Sequence, residues 1–405
     1  MRTFTKSKRF QNVTYDIRGP VMQEARKMEA GGDKVIKLNI GNPGVFGFNA
    51  SQEIINEISQ NLRNAQPYGD SRGIAVARNA IMDDFKSRGV ANAGIEDIYI
   101  GNGVSELIMM TMQGLIDPGD EILVPMPDYP LWTAAVNFSG GTAVHYLCDE
   151  ASDWNPDIAD LRSKVSSKTK AIVVINPNNP TGAVYSKETL QSIAAVAREH
   201  ELIVFSDEIY TRIVYDGAKH IPMATIDPEI LTISFDGLSK TWLACGFRAG
   251  WMVLSGNKKA ASSYIEGLDL LSNMRLCPNM LAQHGIQAAL KNHEDINPYI
   301  LPGGRLKEQR DIAVKMINAI PGLSVVPPKG SIYCFPKIDA KRFNITNDEK
   351  FAMDLLKEQK VLFVHGTGFN WKAPDHFRVV FLPDRETMTD AMQRLEKFFE
   401  SYRQT

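Results

Sequence analysis

Between about residue 98 and residue 255, short apolar runs of strand length alternate with longer stretches whose apolar positions recur at helical spacing. The runs are IYI at 98–100, EILVP at 121–125, AVHYL at 143–147, AIVVI at 171–175, LIVFS at 202–206, LTISF at 231–235 and WMVLS at 251–255. Several are apolar at consecutive positions, the pattern of strands covered by helices on both faces. The alternation predicts an α/β unit on a mostly parallel sheet.

Five of the runs lead within a residue or two into polar or Gly-rich segments: GNGVSE, PMPDYP, NPNNPTG, DEIY and DGLSKTW. Ligands of open α/β sheets bind at the carboxyl edge of the strands. Any one of these segments is equally well a plain turn, since Gly, Pro, Asn and Asp mark turns everywhere. Together, with complementary chemistry, they point to a site. After residue 290 the pattern changes to PYILPGGR, a helical stretch and short strands around 324–326, 333–336, 361–364 and 377–382, which predicts a smaller α+β unit. The first 45 residues are expected to pack with it, giving a large domain of 46–297 and a discontinuous small domain of 1–45 and 298–405.

Charge and cysteine content narrow the partners. The 45 basic and 47 acidic residues give a formal charge of -2, with no long-range field to gather nucleic acid or an anionic membrane. A small-molecule partner is the expectation. Cys148, Cys245, Cys277 and Cys334 are scattered and form no CxxC pair, so neither a metal cluster nor a disulfide framework is indicated. The basic N-terminus lacks a following apolar stretch of signal length, and no later run is long enough to span a bilayer; a soluble, cytoplasmic protein in a reducing compartment is expected.

Lys240, in FDGLSKTW, follows an apolar strand where a buried amine can be held neutral enough to attack an aldehyde. A lone lysine there is usually a surface residue, so its neighbours carry the argument. Asp207 closes LIVFS and opens DEIY, where a carboxylate can face a pyridine nitrogen; N-capping a following helix is the plain alternative. At ~3 Å and an effective dielectric near 20, such an ion pair is worth up to roughly 5 kcal/mol before desolvation, or about 4 pKa units. Arg248, eight residues beyond Lys240 in CGFRAGW, offers a guanidinium fork for a phosphate, with Gly246 and Gly250 permitting tight backbone geometry. Ser239 adds a hydroxyl, and GNGVSE, with Gly103 and Val104, offers backbone N–H groups at a helix N-terminus. Asn179 and Tyr210 can hydrogen-bond a phenolic oxygen and Tyr129 can stack on a ring, although each has an ordinary role as turn, helix-face or core residue.

NPNNPTG, SDEIY, SKTW and GFRAG, in this order, resemble the class I aminotransferases of pyridoxal-phosphate fold type I. The likeness runs over nearly the whole chain and is strongest to the bacterial glutamate–pyruvate (alanine) branch, through YDIRGP, KLNIGNP, PDYPLWTAAV, HYLCDE and FPKIDAKRFNI. It implies a fold type I α/β architecture and pyridoxal 5'-phosphate as cofactor. It further implies that Lys240 forms the Schiff base and shuttles a proton, Asp207 pairs with the pyridinium, and Asn179 and Tyr210 hold the phenolic oxygen. Tyr129 would stack, while Ser239, Arg248 and the Gly103–Val104 backbone would bind phosphate. Tyr68, in PYGDSRG, looks like the tyrosine that reaches the phosphate of a neighbouring subunit, which implies a homodimer with shared active sites. Arg378, in HFRVVF, matches the arginine that grips the substrate α-carboxylate, and Gly41 and Asn179 would lie against the same group. Gly237 stands where many relatives have a phosphate-binding serine and Trp242 where tyrosine is frequent, which weakens one phosphate donor and leaves the reaction type untouched.

The implied reaction is ping-pong transamination, L-alanine plus 2-oxoglutarate to pyruvate plus L-glutamate. Tyr15 and Arg18, in YDIRGP, are expected to cover the site and meet glutamate's distal carboxylate. Aspartate, valine or other branched-chain donors, a carbon–sulfur lyase and a non-catalytic regulator that binds the cofactor are the alternatives.

Overall fold

The computed structural model describes residues 2–405. Its strands in chain order begin with β1 (Ile36–Lys37), β2 (Ile98–Gly101), β3 (Glu121–Met126), β4 (Thr142–Asp149) and β5 (Asn155–Pro156). β6 (Thr169–Ile175), β7 (Ile203–Asp207), β8 (Thr232–Gly237) and β9 (Gly250–Ser255) follow. Strands β2 to β9 make one eight-stranded sheet in the order β2-β9-β8-β7-β6-β3-β4-β5. Every apolar run read from the sequence is one of these strands, its ends moved by at most two residues.

The central pairs β4·β3, β3·β6, β6·β7 and β7·β8 are parallel, as expected, whereas β9 runs antiparallel to both β8 and β2. The reason is the connection: no crossover helix separates β8 from β9, and a parallel return needs one. Reversal brings the first residue of β9 to the edge where the other strands end, with Gly250 opposite both Gly101 and Gly237.

The sheet is dry on both faces. Trp132, Phe205 and Phe235 pack on one side, and on the other Leu123, Ile172, Val174 and Val204 meet Leu190, Ile193 and Val196 of the helix Lys187–Glu199. That helix starts where Ser186 accepts a hydrogen bond from the Thr189 N–H at 3.2 Å. Each fully buried side chain of this size contributes about 1.5–3 kcal/mol, so the sheet is a rigid platform for whatever its edge carries.

The C-terminal third adds β10 (Leu323–Ser324), β11 (Tyr333–Cys334), β12 (Lys337–Ile338), β13 (Val361–Leu362), β14 (Val364–His365) and β15 (Phe377–Val380). β11, β15 and β14 form an antiparallel sheet, and β1 pairs in parallel with β13. The helix Pro20–Ala30 presses Val21 and Ala25 onto Ala352 and Leu356 of the helix Asp348–Gln359. Among the described residues all four cysteines are free, and no helix is long and apolar enough to cross a membrane.

A Cβ on Gly250 would lie 2.6 Å from the Val104 nitrogen and 2.8 Å from the Gly103 carbonyl carbon. Both are backbone atoms held by the sheet and by the start of the helix Val104–Leu115. Gly250→Ala is expected to lower stability by about 1–3 kcal/mol, read as a lower denaturation midpoint at unchanged m-value.

Candidate active site

The strand ends converge on one cavity of about 540 Å³. Lys240, three residues after β8, enters it and donates from Nζ to the Gly41 carbonyl at 2.7 Å. Gly41 is held close: a Cβ there would come within 2.2 Å of the Tyr333 hydroxyl. The close approach requires glycine.

Asp207 ends β7 and is 4% exposed. Its Oδ2 accepts from Trp132 Nε1 at 3.0 Å and its Oδ1 from the Ile209 N–H at 3.4 Å. Burial raises its pKa to about 6, against the opposing pull of those two donors and of the Lys240 charge. No helix follows Asp207 for it to cap, because residues 209–212 form turns. Tyr210 therefore lies in a turn, and its hydroxyl donates to that of Tyr333 at 3.0 Å.

Arg378 on β15 is buried in the same cavity. Its Nη1 donates to Asn179 Oδ1 at 2.9 Å and its Nη2 to the Asn39 carbonyl, while Nε has no partner among the described residues. The guanidinium is sandwiched, 4.2 Å from the Tyr333 ring centre and 4.5 Å from that of Phe369. Burial lowers its pKa, partly offset by the surrounding tyrosines. An arginine so placed stays charged and is short of one acceptor.

Arg248 is exposed, its Nη1 donating to the Cys245 carbonyl at 2.9 Å and its Nη2 to the Asn102 carbonyl at 3.1 Å. The expectation that Gly246 and Gly250 supply the tight geometry is met at Gly250 only; Gly246 has open space, and Arg248 itself takes the left-handed conformation, φ 57°. Gly103 packs beneath it, where a Cβ would fall 2.2 Å from Nη2. Val104 and Ser105 open the helix Val104–Leu115 and line the cavity, and the leading N–H groups of a helix have no intrahelical acceptor.

Ser239, Asn179, Tyr129, Tyr15 and Arg18 line the cavity too. Tyr15 and Tyr129 share a hydrogen bond of 2.9 Å between their hydroxyls. Tyr68 stands apart, 77% exposed and outside the cavity of its own chain. Gly237 leaves no room for a serine without movement, since its Cβ would meet the Ala249 carbonyl oxygen at 2.8 Å. Trp132 and Tyr333 escaped the sequence reading. Trp132 had a signal, standing one helical turn from Tyr129; Tyr333 had none, because a β-strand pairing brings it in.

An amine, a buried carboxylate, a buried guanidinium and the start of a helix meet in one crevice of an α/β sheet. The chain belongs to the aminotransferase class I and II family, whose model matches residues 33–395. It is 57% identical to the glutamate-pyruvate aminotransferase AlaA of Haemophilus influenzae over the full length of both chains, and 54% identical to the alanine aminotransferase of Mycobacterium bovis over all of this chain and 94% of that one. Among solved structures it is similar to an Escherichia coli aminotransferase (TM-score 0.99, 56% identity, all of both chains) and to the Pyrococcus furiosus alanine aminotransferase (TM-score 0.93, 41% identity, 98% of this chain and all of that one).

The raised pKa of Asp207 means that the folded chain holds this proton more tightly than the unfolded one, so stability is lost as pH rises from about 4 to 6. Above that window the unpaired charge costs roughly 3 kcal/mol at about 1.4 kcal/mol per pKa unit. Cofactor-free Asp207→Asn is expected to be more stable than cofactor-free wild type at pH 8 by up to that amount, the gap closing near pH 4. Denaturation curves at the two pH values measure it.

Proposed function

We propose that this chain is a pyridoxal-phosphate-dependent alanine aminotransferase that converts L-alanine and 2-oxoglutarate to pyruvate and L-glutamate in two half-reactions. The observation that carries the proposal is the buried Arg378, its Nε still lacking an acceptor, in one cavity with the Lys240 amine.

The residues fit the cofactor. Asp207 is a buried carboxylate with no cation bonded to it among the described residues, as a protonated ring nitrogen requires. Arg248, Ser239 and the start of the helix Val104–Leu115 line the cavity with donors suited to a phosphate, and Gly103 leaves the Arg248 guanidinium its place. The chemistry this cofactor supplies when bound is an aldehyde that captures amines and a protonated ring that withdraws electron density from the substrate Cα.

In this reading Lys240 would be the residue that holds the cofactor's aldehyde, and its Nζ, when free, would move the proton to and from the substrate Cα. Asp207 keeps the ring nitrogen protonated by ion pairing. Asn179 and Tyr210 donate to the phenolic oxygen, and Tyr129 covers the ring. Arg378 takes the α-carboxylate, with Asn179 and the Gly41 backbone beside it, so that the Cα is presented to Lys240 in a fixed orientation. Tyr15 and Tyr129, joined through their hydroxyls, line the same cavity. Arg18 lines the cavity with no ion-pair partner among the described residues and meets the distal carboxylate of glutamate.

The active unit is a homodimer in the cytoplasm. Tyr68, Leu270, Met274 and Leu276 are 77%, 64%, 79% and 53% exposed, and large apolar side chains left exposed together mark an interaction face. Arg275 ties this face together, donating to the Ser71 carbonyl at 3.0 Å. A second copy covering it would carry Tyr68 toward the phosphate cradle of its neighbour. The pairing of β1 with β13 supports the division into 46–297 and 1–45 with 298–405, and the free thiols suit a reducing compartment.

The decisive experiment mixes loaded enzyme with L-alanine, L-aspartate, L-valine or L-cysteine and follows the cofactor absorbance in a single turnover. Rapid conversion by L-alanine, reversed by 2-oxoglutarate, is expected; conversion by another donor alone moves the substrate, and none at all refutes catalysis. Arg18→Ala is expected to weaken the glutamate half-reaction by about 10–100-fold, the size of a lost hydrogen bond to a charge, and the alanine half-reaction by less than about threefold; an equal loss in both refutes the assignment. Met274→Glu is expected to shift the light-scattering mass of the purified protein from dimer to monomer, and an unchanged mass counts against this interface.

A further inference from the structure

Tyr333 has no part in the chemistry derived above, yet its hydroxyl lies where the working groups meet. It sits on β11 opposite Val380 of β15, so its side chain shares a face with that of Arg378 two residues along the partner strand. The ring lies 4.2 Å beneath the Arg378 guanidinium, the hydroxyl bonds Tyr210 at 3.0 Å, and the same oxygen occupies the space a side chain at Gly41 would need. Gly41 in turn accepts from Lys240. Tyr333 is 3% exposed, which leaves water little access to this hydroxyl pair.

We propose that Tyr333 is a positioning residue that strengthens the Tyr210 hydroxyl as a donor to the cofactor's phenolic oxygen and, through its ring, aligns Arg378 for the substrate α-carboxylate. The inference rests on the role given to Tyr210 above.

Hydroxyl protons rotate to suit their partners. With the Tyr210 proton directed at an oxygen in the cavity, the Tyr210 oxygen is left to accept from Tyr333, and hydrogen bonds arranged in a chain polarise one another. The phenolic oxygen carries its full negative charge only after the proton on the neighbouring nitrogen has left. A stronger donor at Tyr210 therefore lowers the pH at which that proton leaves. The Tyr333 ring serves a separate purpose: with Phe369 on the other side it holds the guanidinium plane, which decides whether a carboxylate is met by two parallel N–H groups or by one.

The two roles separate by substitution. Tyr333→Phe keeps the ring and removes the hydroxyl; Tyr333→Leu removes both. The readouts are the pH titration of the cofactor absorbance in the loaded enzyme, without substrate, and the split between kcat and KM for L-alanine. For Tyr333→Phe the titration midpoint is expected to rise by about 0.5–1 unit, the size of one hydrogen bond, with KM changed less than twofold. Tyr333→Leu is expected to show the same rise and a KM increase of about tenfold, as for a lost cation–π contact. Thermal melts of both variants check folding.

A midpoint in Tyr333→Phe equal to wild type, while Tyr210→Phe shifts it, overturns the proposal and leaves the function above intact. A Tyr210→Phe midpoint that also stays put removes the role of Tyr210 and the proposal with it. A cofactor band that survives in Lys240→Ala unchanged from wild type refutes the assignment of Lys240 itself.

Discussion

The charge of Asp207, buried at the end of a central strand, is the constraint around which the site is organised. A carboxylate in that position is costly, and the two N–H donors supplied by Trp132 and Ile209 leave its pKa near 6. Protonation removes that cost, and so would a cation lodged against it. The protein tolerates the cost because the surrounding sheet is dry and well packed: Phe205 and Phe235 on the strands that carry Asp207 and lead to Lys240 lock the Trp132 ring in place. Scaffold stability is thereby exchanged for a binding site that is already polarised before any ligand arrives.

Close backbone approach is the second constraint. Gly41, Gly103 and Gly250 each stand where a side chain would strike a functional group or the backbone that presents one. Arg248 adopts a left-handed conformation that costs a non-glycine residue about 1–2 kcal/mol, and the result is a guanidinium anchored to the Cys245 and Asn102 carbonyls at the lip of the cavity. Reversal of β9 makes this possible. A ninth strand running with the others would have carried Arg248 to the far edge.

The cavity is lined from distant parts of the chain. Lys240 and Asp207 come from the sheet, Arg378 from β15, and Tyr15 and Arg18 from the segment that precedes the helix Pro20–Ala30. Asp16, between those two, faces away from the cavity toward His365, 3.7 Å from its Nε2. Arg378 reaches across to Asn179, so this contact joins β15 to the segment that follows β6 at the sheet edge. The shape of the cavity and the joining of β15 to the sheet edge are therefore linked.

The amino-acid sequence by itself determined the strands, the edge of the sheet that carries the site, and most of its chemistry. These follow from local causes: consecutive apolar residues need cover on both faces, and an aspartate, a lysine and a glycine-rich turn directly after such runs have one edge on which to gather. It also supported the family resemblance, through motifs such as NPNNPTG and SDEIY. Tertiary structure alone decided what depends on residues far apart in the chain. The turn in place of a helix after Asp207, the left-handed Arg248 beside an unconstrained Gly246, the capture of Asp207 by Trp132 and the placing of Tyr333 between Tyr210 and Arg378 all belong to this group. The last joins residues 123 and 45 positions apart. No periodicity or composition encodes such a meeting, because it is fixed by strand register and by which side chains two packed units press together.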